Sequence, residues 1–234
     1  MRSSANHSAR ERYLLYFVVA VGLVLRLTLH FRGCNFDVIS YRIVLQIMRD
    51  GGNVYQDTVR YNYGPVWFNI LHLLDITPPL SLPPMDAFRW KLVLLLTAAD
   101  MGIFVFLLRH YSLRIAALFF LNPISIIITG YHNQFDNIAV FVGLLAVFLY
   151  QKGDRKNRVL GMLGMGLSLC LKHLLFLFPV WLALKEKKWS WRVLVVLVPY
   201  AMFLLSFLPY WSTGAAGINV KWPVLNLRRS RIWL

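Results

Sequence analysis

A short polar cluster lies between two apolar runs near the middle of the chain. It occupies residues 130–137, with LFFLNPISIIIT before it and IAVFVGLLAVFLY after it. We expect two membrane helices joined at this polar tip, and such a density of hydrogen-bonding groups favours a site that meets a polar ligand. The alternative is a solvated turn in which Asp136 or Asn137 caps the next helix. The candidate contact residues at the polar tip are His132, Asn133, Gln134 and Asp136.

A second candidate for chemistry is Asp37, which comes soon after the first apolar run. A carboxylate at a membrane face can act as a general base and take the proton of a sugar hydroxyl as that hydroxyl attacks an activated sugar. An aspartate before a helix can equally be an N-cap. Both interpretations of Asp37 remain open at the level of sequence.

Two cationic positions suit a phosphate. Arg60 stands in the segment RYNYGP, where a guanidinium beside aromatic rings fits a phosphate next to a sugar, and where Tyr61 is a candidate sugar or scaffold contact. Interfacial tyrosines can also be an ordinary aromatic belt. Lys172, beside His173, is a compact charge that could neutralise a lipid phosphate, or it could snorkel or pair with a buried acid.

Asp100 lies in the middle of an apolar run. A carboxylate at that depth costs about 2.5–3.5 kcal/mol on insertion scales, so we expect it to have a partner. The candidates are Lys172, Arg26 and Asn122. A structural role in the membrane is the prediction for Asp100.

The composition predicts the fold class. The chain has 234 residues, is 58% hydrophobic and has a mean hydropathy of +0.56. Several runs are apolar at every position, whereas the strands of a membrane β-barrel alternate apolar and polar residues. The runs therefore exclude a β-barrel and predict an all-α, polytopic transmembrane helical bundle. The net charge of +15 falls in short clusters between these runs, which indicates loops in contact with anionic lipid and no nucleic-acid partner. Cys34 and Cys170 form no disulfide or zinc pattern.

The apolar runs predict the order of the spans. Residues 13–30 form the first span, with Arg26 near its outer end, where it can reach the interface. Residues 31–90 form a long first external loop, in which Asp37–Arg49 is a helix lying along the membrane face and Val66–Leu74 a half span. The later spans are 91–108, 113–129, 137–150, 158–184 and 192–208.

The distribution of lysine and arginine predicts the orientation of these spans. Three lie before the first span and two, four and four lie in 109–114, 151–158 and 185–192, against none in 130–137 and 209–220. By the positive-inside rule the basic turns are cytoplasmic. Residues 158–184 must then start and end inside, as two half-helices broken at Lys172 and His173. The alternative is one tilted span with a snorkelling lysine.

Several motifs occur in the order found in one family of membrane enzymes. They are NFDVISY at 35–41, GNVY at 52–55, RYNYGP at 60–65, AD at 99–100, LNP at 121–123 and GYHNQFD at 130–136. The chain resembles the GT-C glycosyltransferases that use polyprenyl- or dolichyl-phosphate sugars, in particular the catalytic subunit of GPI mannosyltransferase I and its bacterial relatives. Motifs of soluble enzymes, such as a P-loop, GxGxxG, HExxH or GxSxG, are missing.

The resemblance implies an inverting transfer of a hexose, mannose in the related enzymes, from the lipid-phosphate donor to a glycan or glycolipid acceptor. The transfer would occur on the non-cytoplasmic face of a bacterial or endoplasmic reticulum membrane. It implies that Asp37 is the base, and that Arg60 and Lys172 bind the donor phosphate. We expect no metal or other cofactor, because Asp37 has to act alone. The family often has two acids where this chain has Asn35 and Asp37.

The end of the chain differs from the family, whose members are longer. We expect residues 1–220 to form one GT-C-like membrane module, and residues 221–234 to be a basic tail that follows a change of character at Lys221. We therefore expect this chain to be a truncated or split product of a longer protein. The alternative functions are a non-catalytic partner subunit and a lipid or sugar transporter.

Overall fold

The computed structural model describes residues 9–76 and 84–211, and the regular secondary structure in these ranges is helical. No strand occurs in these two ranges, so the prediction of an all-α bundle is confirmed. Residues 221–234, the predicted basic tail, lie outside them. The helices are α1 Ala9–Leu29, α2 Phe36–Arg49, α3 Val54–Asp57, α4 Pro65–Ile76, α5 Pro84–His110, α6 Leu113–Phe120, α7 Pro123–Ile127, α8 Asp136–Gln151, α9 Arg155–Leu171, α10 Phe178–Lys185 and α11 Trp189–Leu205.

Three stretches are long and apolar enough to cross a membrane. They are Ala9–Arg32, Asp86–His110 and Trp189–Tyr210, and the bent pair α6 and α7 makes a fourth if it counts as one span. These lengths and compositions indicate a membrane protein. The predicted start of a span at Lys91 was too late, because α5 begins at Pro84 and already includes Arg89. The Nη2 of Arg89 donates to the Gly33 carbonyl.

The predicted span 113–129 is bent rather than straight. The chain turns by 46° between α6 and α7, because Pro123 cannot donate a backbone hydrogen bond and disfavours a helical residue before it. Asn122 is that residue, and its side chain accepts from the N–H of Ile124 as the N-cap of α7. A single π-helical turn, Ile128–His132, follows and leads into the polar tip.

The segment between the first two spans folds into three helices. The predicted helix at 37–49 is confirmed as α2, which buries Val38, Tyr41, Val44 and Leu45 along one side. Together with α4 and part of α5 it forms an aromatic core. Trp67 of α4 stacks on Phe135 of the polar tip at 3.9 Å between ring centroids, so this segment is packed against the tip.

Residues 158–184 form two half-helices, as the charge distribution predicts. Helix α9 ends at Leu171, and Lys172 adopts an extended conformation with φ −152° and ψ 133°. Helix α10 then returns to the starting side, where Arg158 Nη1 lies 2.8 Å from Glu186 Oε2. Burial works to raise the pKa of Glu186, but hydrogen bonds from Tyr150 and the backbone, with the Arg158 charge, outweigh it and lower that pKa.

The two ends of the bundle have different chemistry. At one, the basic end, the turns 109–114, 151–158 and 185–192 meet, through ring contact of His110 with Phe148 and through the Arg158–Glu186 pair. At the other, the site end, the end of α1, the start of α5, the polar tip and the break after α9 come together. Contacts at the site end include Arg89 with Gly33, Asn35 with His132, Lys172 with Asp136 and Asn53 with Tyr210.

A buried ion pair joins the spans. Arg26 and Asp100 are both fully buried and lie 2.8 Å apart, Nε to Oδ2. The prediction that Arg26 reaches the interface was wrong, because its guanidinium also donates to the carbonyls of Gly22 and Phe120. Asp100 accepts further from Thr129, so the carboxylate is fully engaged in a structural role.

We expect Arg26→Met to lower the free energy of unfolding by about 3–5 kcal/mol, because it leaves the Asp100 charge buried without a cation. The double variant Arg26→Met/Asp100→Leu should unfold at a stability closer to wild type than either single variant. Chemical denaturation in detergent micelles measures these values, with the exposed Arg109→Met as control. Strictly additive losses in the double variant would contradict the ion pair.

We expect cysteines at positions 156 and 187 to react with a membrane-impermeant maleimide from the same side, because the two half-helices start and end at the basic end. The variants are Lys156→Cys and Lys187→Cys in a background in which Cys34 and Cys170 are serine. Phe36→Cys, at the site end, should react from the other side. Opposite labelling of positions 156 and 187 would mean one continuous span.

Candidate functional site

The start of α2 places the first carboxylate of the site. Asn35 is the N-cap of α2, and its Oδ1 accepts from the N–H of Asp37 at 3.1 Å. The interpretation of Asp37 as the N-cap is therefore wrong. Asp37 lies in the first turn of the helix, where the partial positive charge of the helix end favours a carboxylate.

The polar tip is shaped by one buried asparagine. Asn133 is fully buried and has a left-handed backbone with φ 56°, a conformation that asparagine tolerates better than most residues. Its Nδ2 donates to the Thr129 carbonyl at 2.8 Å, which closes the π-helical turn. Gly130 of this turn lies so near α1 that a Cβ would come within 2.6 Å of the Arg26 carbonyl oxygen. The tip is thus packed directly on the first span.

Two neutral amides hold the Asp37 carboxylate. Asn35 Nδ2 donates to Asp37 Oδ2 at 2.6 Å, and Gln134 Nε2 donates to the same oxygen at 2.8 Å. Oδ1 is the carboxylate oxygen that neither amide holds. Because both donors are uncharged, they orient Asp37 without neutralising it, which leaves it able to accept a proton.

Asn35 also contacts His132 of the polar tip. Oδ1 of Asn35 is engaged as the helix cap, so Nδ2 is the atom that lies 2.6 Å from His132 Nδ1. An amide nitrogen is only a donor, so Nδ1 of His132 is the acceptor in this contact. His132 is therefore tied to Asp37 through one side chain.

A cation enters the site from the break after α9. Lys172 forms an ion pair with Asp136, and its ammonium lies 5.0 Å from the ring centroids of both Tyr63 and Phe135. Gly64 makes this approach possible, since a Cβ at that position would lie 1.9 Å from the Cys170 carbonyl oxygen. Burial, followed by the charges of Asp37 and Asp136, raises the pKa of Tyr63.

The structure separates the predicted residues into three groups. Asp37, His132, Gln134, Asp136 and Lys172 come together at the site end. Asn133 and Tyr61 have scaffold positions: Tyr61 is buried in the aromatic core and donates to the Gly64 carbonyl. The Arg60 side chain is exposed, and no hydrogen bond among the described residues joins it to Asp37 or Lys172.

Two further interpretations are corrected by the geometry. Phe135 occupies the N-cap position of α8, which begins at Asp136, so neither Asp136 nor Asn137 is the helix cap. Asp136 instead pairs with Lys172, and Asn137 donates to Asp100 Oδ1 at 3.0 Å. Both polar residues are thus held by distant spans.

The sequence reasoning did not assign Asn35, Tyr63 or Phe135 to the site. Asn35 is a preferred N-cap residue two positions before Asp37, and this local signal predicts that its side chain lies close to Asp37. Tyr63 and Phe135 have no local signal, because their role comes from aromatic rings facing Lys172. Among residues 9–76 and 84–211, no three His, Cys, Asp or Glu side chains form a group that could hold a metal ion.

Comparisons with known protein families, with curated proteins and with solved structures found no match to this chain.

We expect Asp37→Asn and Asp136→Asn each to lower the pKa of Tyr63. A nearby carboxylate disfavours the phenolate, so removing its charge shifts the pKa down towards the ordinary value, while burial keeps it above that value. NMR titration of protein labelled at the tyrosine ring carbon, with Tyr63→Phe for assignment, measures the shift. Asp50→Asn, at the far end of α2, is the control, and an unchanged Tyr63 pKa in both site variants would contradict the arrangement.

Proposed function

We propose that this protein is a membrane glycosyltransferase that moves a hexose, with mannose as the expected sugar, from a polyprenyl- or dolichyl-phosphate donor to a hydroxyl acceptor. The observation that carries the proposal is that Asp37 and Lys172, from distant parts of the sequence, both contact the polar tip, Asp37 through Gln134 and Lys172 through Asp136. A general base and a cation for a leaving phosphate are the two groups that such a transfer requires.

The proposed reaction is a single displacement. The acceptor oxygen attacks C1 of the sugar, the bond between C1 and the phosphate oxygen breaks, and the configuration at C1 inverts. Asp37 takes the proton of the acceptor hydroxyl, and the lipid phosphate leaves with the bonding electron pair. Lys172 stabilises the negative charge of that phosphate, which would share the ammonium with Asp136.

The neighbouring side chains support these roles. Asn35 and Gln134 orient Asp37, and neither carries a positive charge that would weaken it as a base. Tyr63 and Phe135 place aromatic faces beside Lys172, a surface against which a sugar ring can pack. Arg60 is exposed and remains a candidate phosphate contact only through movement of its side chain.

The orientation in the membrane is part of the proposal. The site end carries the polar tip, whereas the clusters of lysine and arginine lie at the basic end. By the positive-inside rule the basic end would be cytoplasmic. The transfer would then take place on the non-cytoplasmic side, at the cell exterior, the periplasm or the lumen of the endoplasmic reticulum.

We expect Asp37→Asn to reduce sugar transfer about 10²- to 10⁴-fold, the usual contribution of a general base. Membranes that carry the full chain are incubated with radiolabelled polyprenyl- or dolichyl-phosphate mannose, and label is followed into lipid and glycan. Asp50→Asn, an exposed carboxylate of the same helix, should transfer like wild type. Equal transfer by Asp37→Asn and wild type would refute the assignment of the base.

A second candidate function is transport of a lipid or sugar, and the break of the span at Lys172 favours it. Broken helices with a charge at the break form substrate sites in transporters. Movement of the labelled lipid across the membrane without transfer of its sugar to another molecule would support transport over the glycosyltransferase. A non-catalytic partner subunit would do neither alone, and a second chain would restore transfer.

A further inference from the structure

A groove with a volume of about 410 Å³ opens at the basic end of the bundle, between the start of α9 and the turn from α10 to α11. It is distinct from the site around Asp37. Arg158 lines it, whereas Lys172, at the other end of α9, belongs to the site. These two residues are about 21 Å apart at a rise of ~1.5 Å per residue. The groove residues with polar or aromatic side chains are Arg158, Lys185, Glu186, Lys187, Lys188 and Trp191.

The lining has a large excess of positive charge. Four of these side chains are cationic and one, Glu186, is a carboxylate. Glu186 is already engaged, because Arg158 lies 2.8 Å from its Oε2 and Tyr150 donates to the same oxygen at 3.0 Å. The charges of Lys187 and Lys188, both exposed, are therefore not matched by an acid of the groove. Such a surface attracts an anion.

The flank of the groove is apolar. Trp181 and Leu184 on α10 are 40% and 76% exposed, and Trp189 at the start of α11 is 72% exposed. Tryptophan next to lysine at the end of apolar helices is typical of the boundary between the headgroups and the hydrocarbon of a bilayer. A ligand that meets both surfaces needs an anionic group joined to hydrocarbon chains.

We propose that this groove binds the headgroup of an anionic phospholipid, with its phosphate at Lys187 and Lys188 and its acyl chains along α10 and α11. Arg158 and Glu186 form the base of the groove and hold the two half-helices together. The ring of Trp191, with the Arg158 guanidinium 5.0 Å from its centroid, closes one side. The bound lipid is a separate molecule from any substrate of the Asp37 site, so this inference does not depend on the proposed glycosyl transfer.

The test uses the full chain, purified in detergent, and native mass spectrometry to count bound lipids. We expect dioleoyl phosphatidylglycerol to bind more tightly than dioleoyl phosphatidylcholine. The double variant Lys187→Ala/Lys188→Ala should weaken phosphatidylglycerol binding at least roughly tenfold, from the usual contribution of each lysine near anionic lipid. The charge reversal Lys187→Glu/Lys188→Glu should weaken it further.

The matched control is Arg109→Ala/Arg114→Ala, which removes the same charge from exposed residues at the basic end outside the groove. It should keep wild-type binding, and equal losses in the two double variants would overturn the proposal in favour of diffuse attraction. Equal binding of the neutral lipid would overturn it as well. Displacement of the lipid by millimolar inorganic phosphate would show a site for free phosphate instead. The affinity of the wild-type protein for phosphatidylglycerol should also fall as the salt concentration is raised.

Discussion

The buried pair of Arg26 and Asp100 is the interaction on which the arrangement of the site depends. Each charge lies in an otherwise apolar span, and neither could remain there alone without a large desolvation cost. The same carboxylate accepts from Thr129 and from Asn137, which stand on the two sides of the polar tip. The pair therefore does more than join two spans, because it holds both ends of the segment that carries the candidate site residues.

The break at Lys172 supplies the second constraint. A continuous helix through residues 158–184 would carry the lysine past the site, whereas the extended conformation at the break presents its ammonium to Asp136 and to two aromatic rings. The Arg158–Glu186 pair holds the two half-helices at their other ends. The position of Lys172 is thus determined at both ends of α9. The Arg158–Glu186 pair fixes the basic end, and the close approach of Gly64 to Cys170 fixes the site end.

The two ends of the bundle separate two kinds of electrostatics. At the site end, each carboxylate has specific partners: neutral amides for Asp37 and a lysine for Asp136. At the basic end, Glu186 is the single carboxylate among the groove residues and the lysines exceed it. A site with balanced charges suits chemistry in which charge develops and is transferred, and a surface with excess positive charge suits attachment to anionic lipid.

The sequence by itself determined the helical class and the long spans, and its basic clusters favoured a break at Lys172 over one tilted span. Apolar runs of sufficient length must be helical in a membrane, and the clusters of basic residues require certain turns to share one end. It also indicated Asp37 and the polar tip, since polar groups in such surroundings are costly unless they have partners. The bend before Pro123 was not predicted, although a proline disfavours a helical residue before it.

Only the tertiary structure decided which groups those partners are. Asn35 and Gln134 are 99 residues apart in the sequence, and nothing local indicates that both donate to one carboxylate oxygen. The same holds for the burial of Arg26, the exposure of Arg60 and the core position of Tyr61. These outcomes depend on how distant helices pack, because the free energy of a polar side chain is determined by the atoms that surround it and not by its neighbours along the chain.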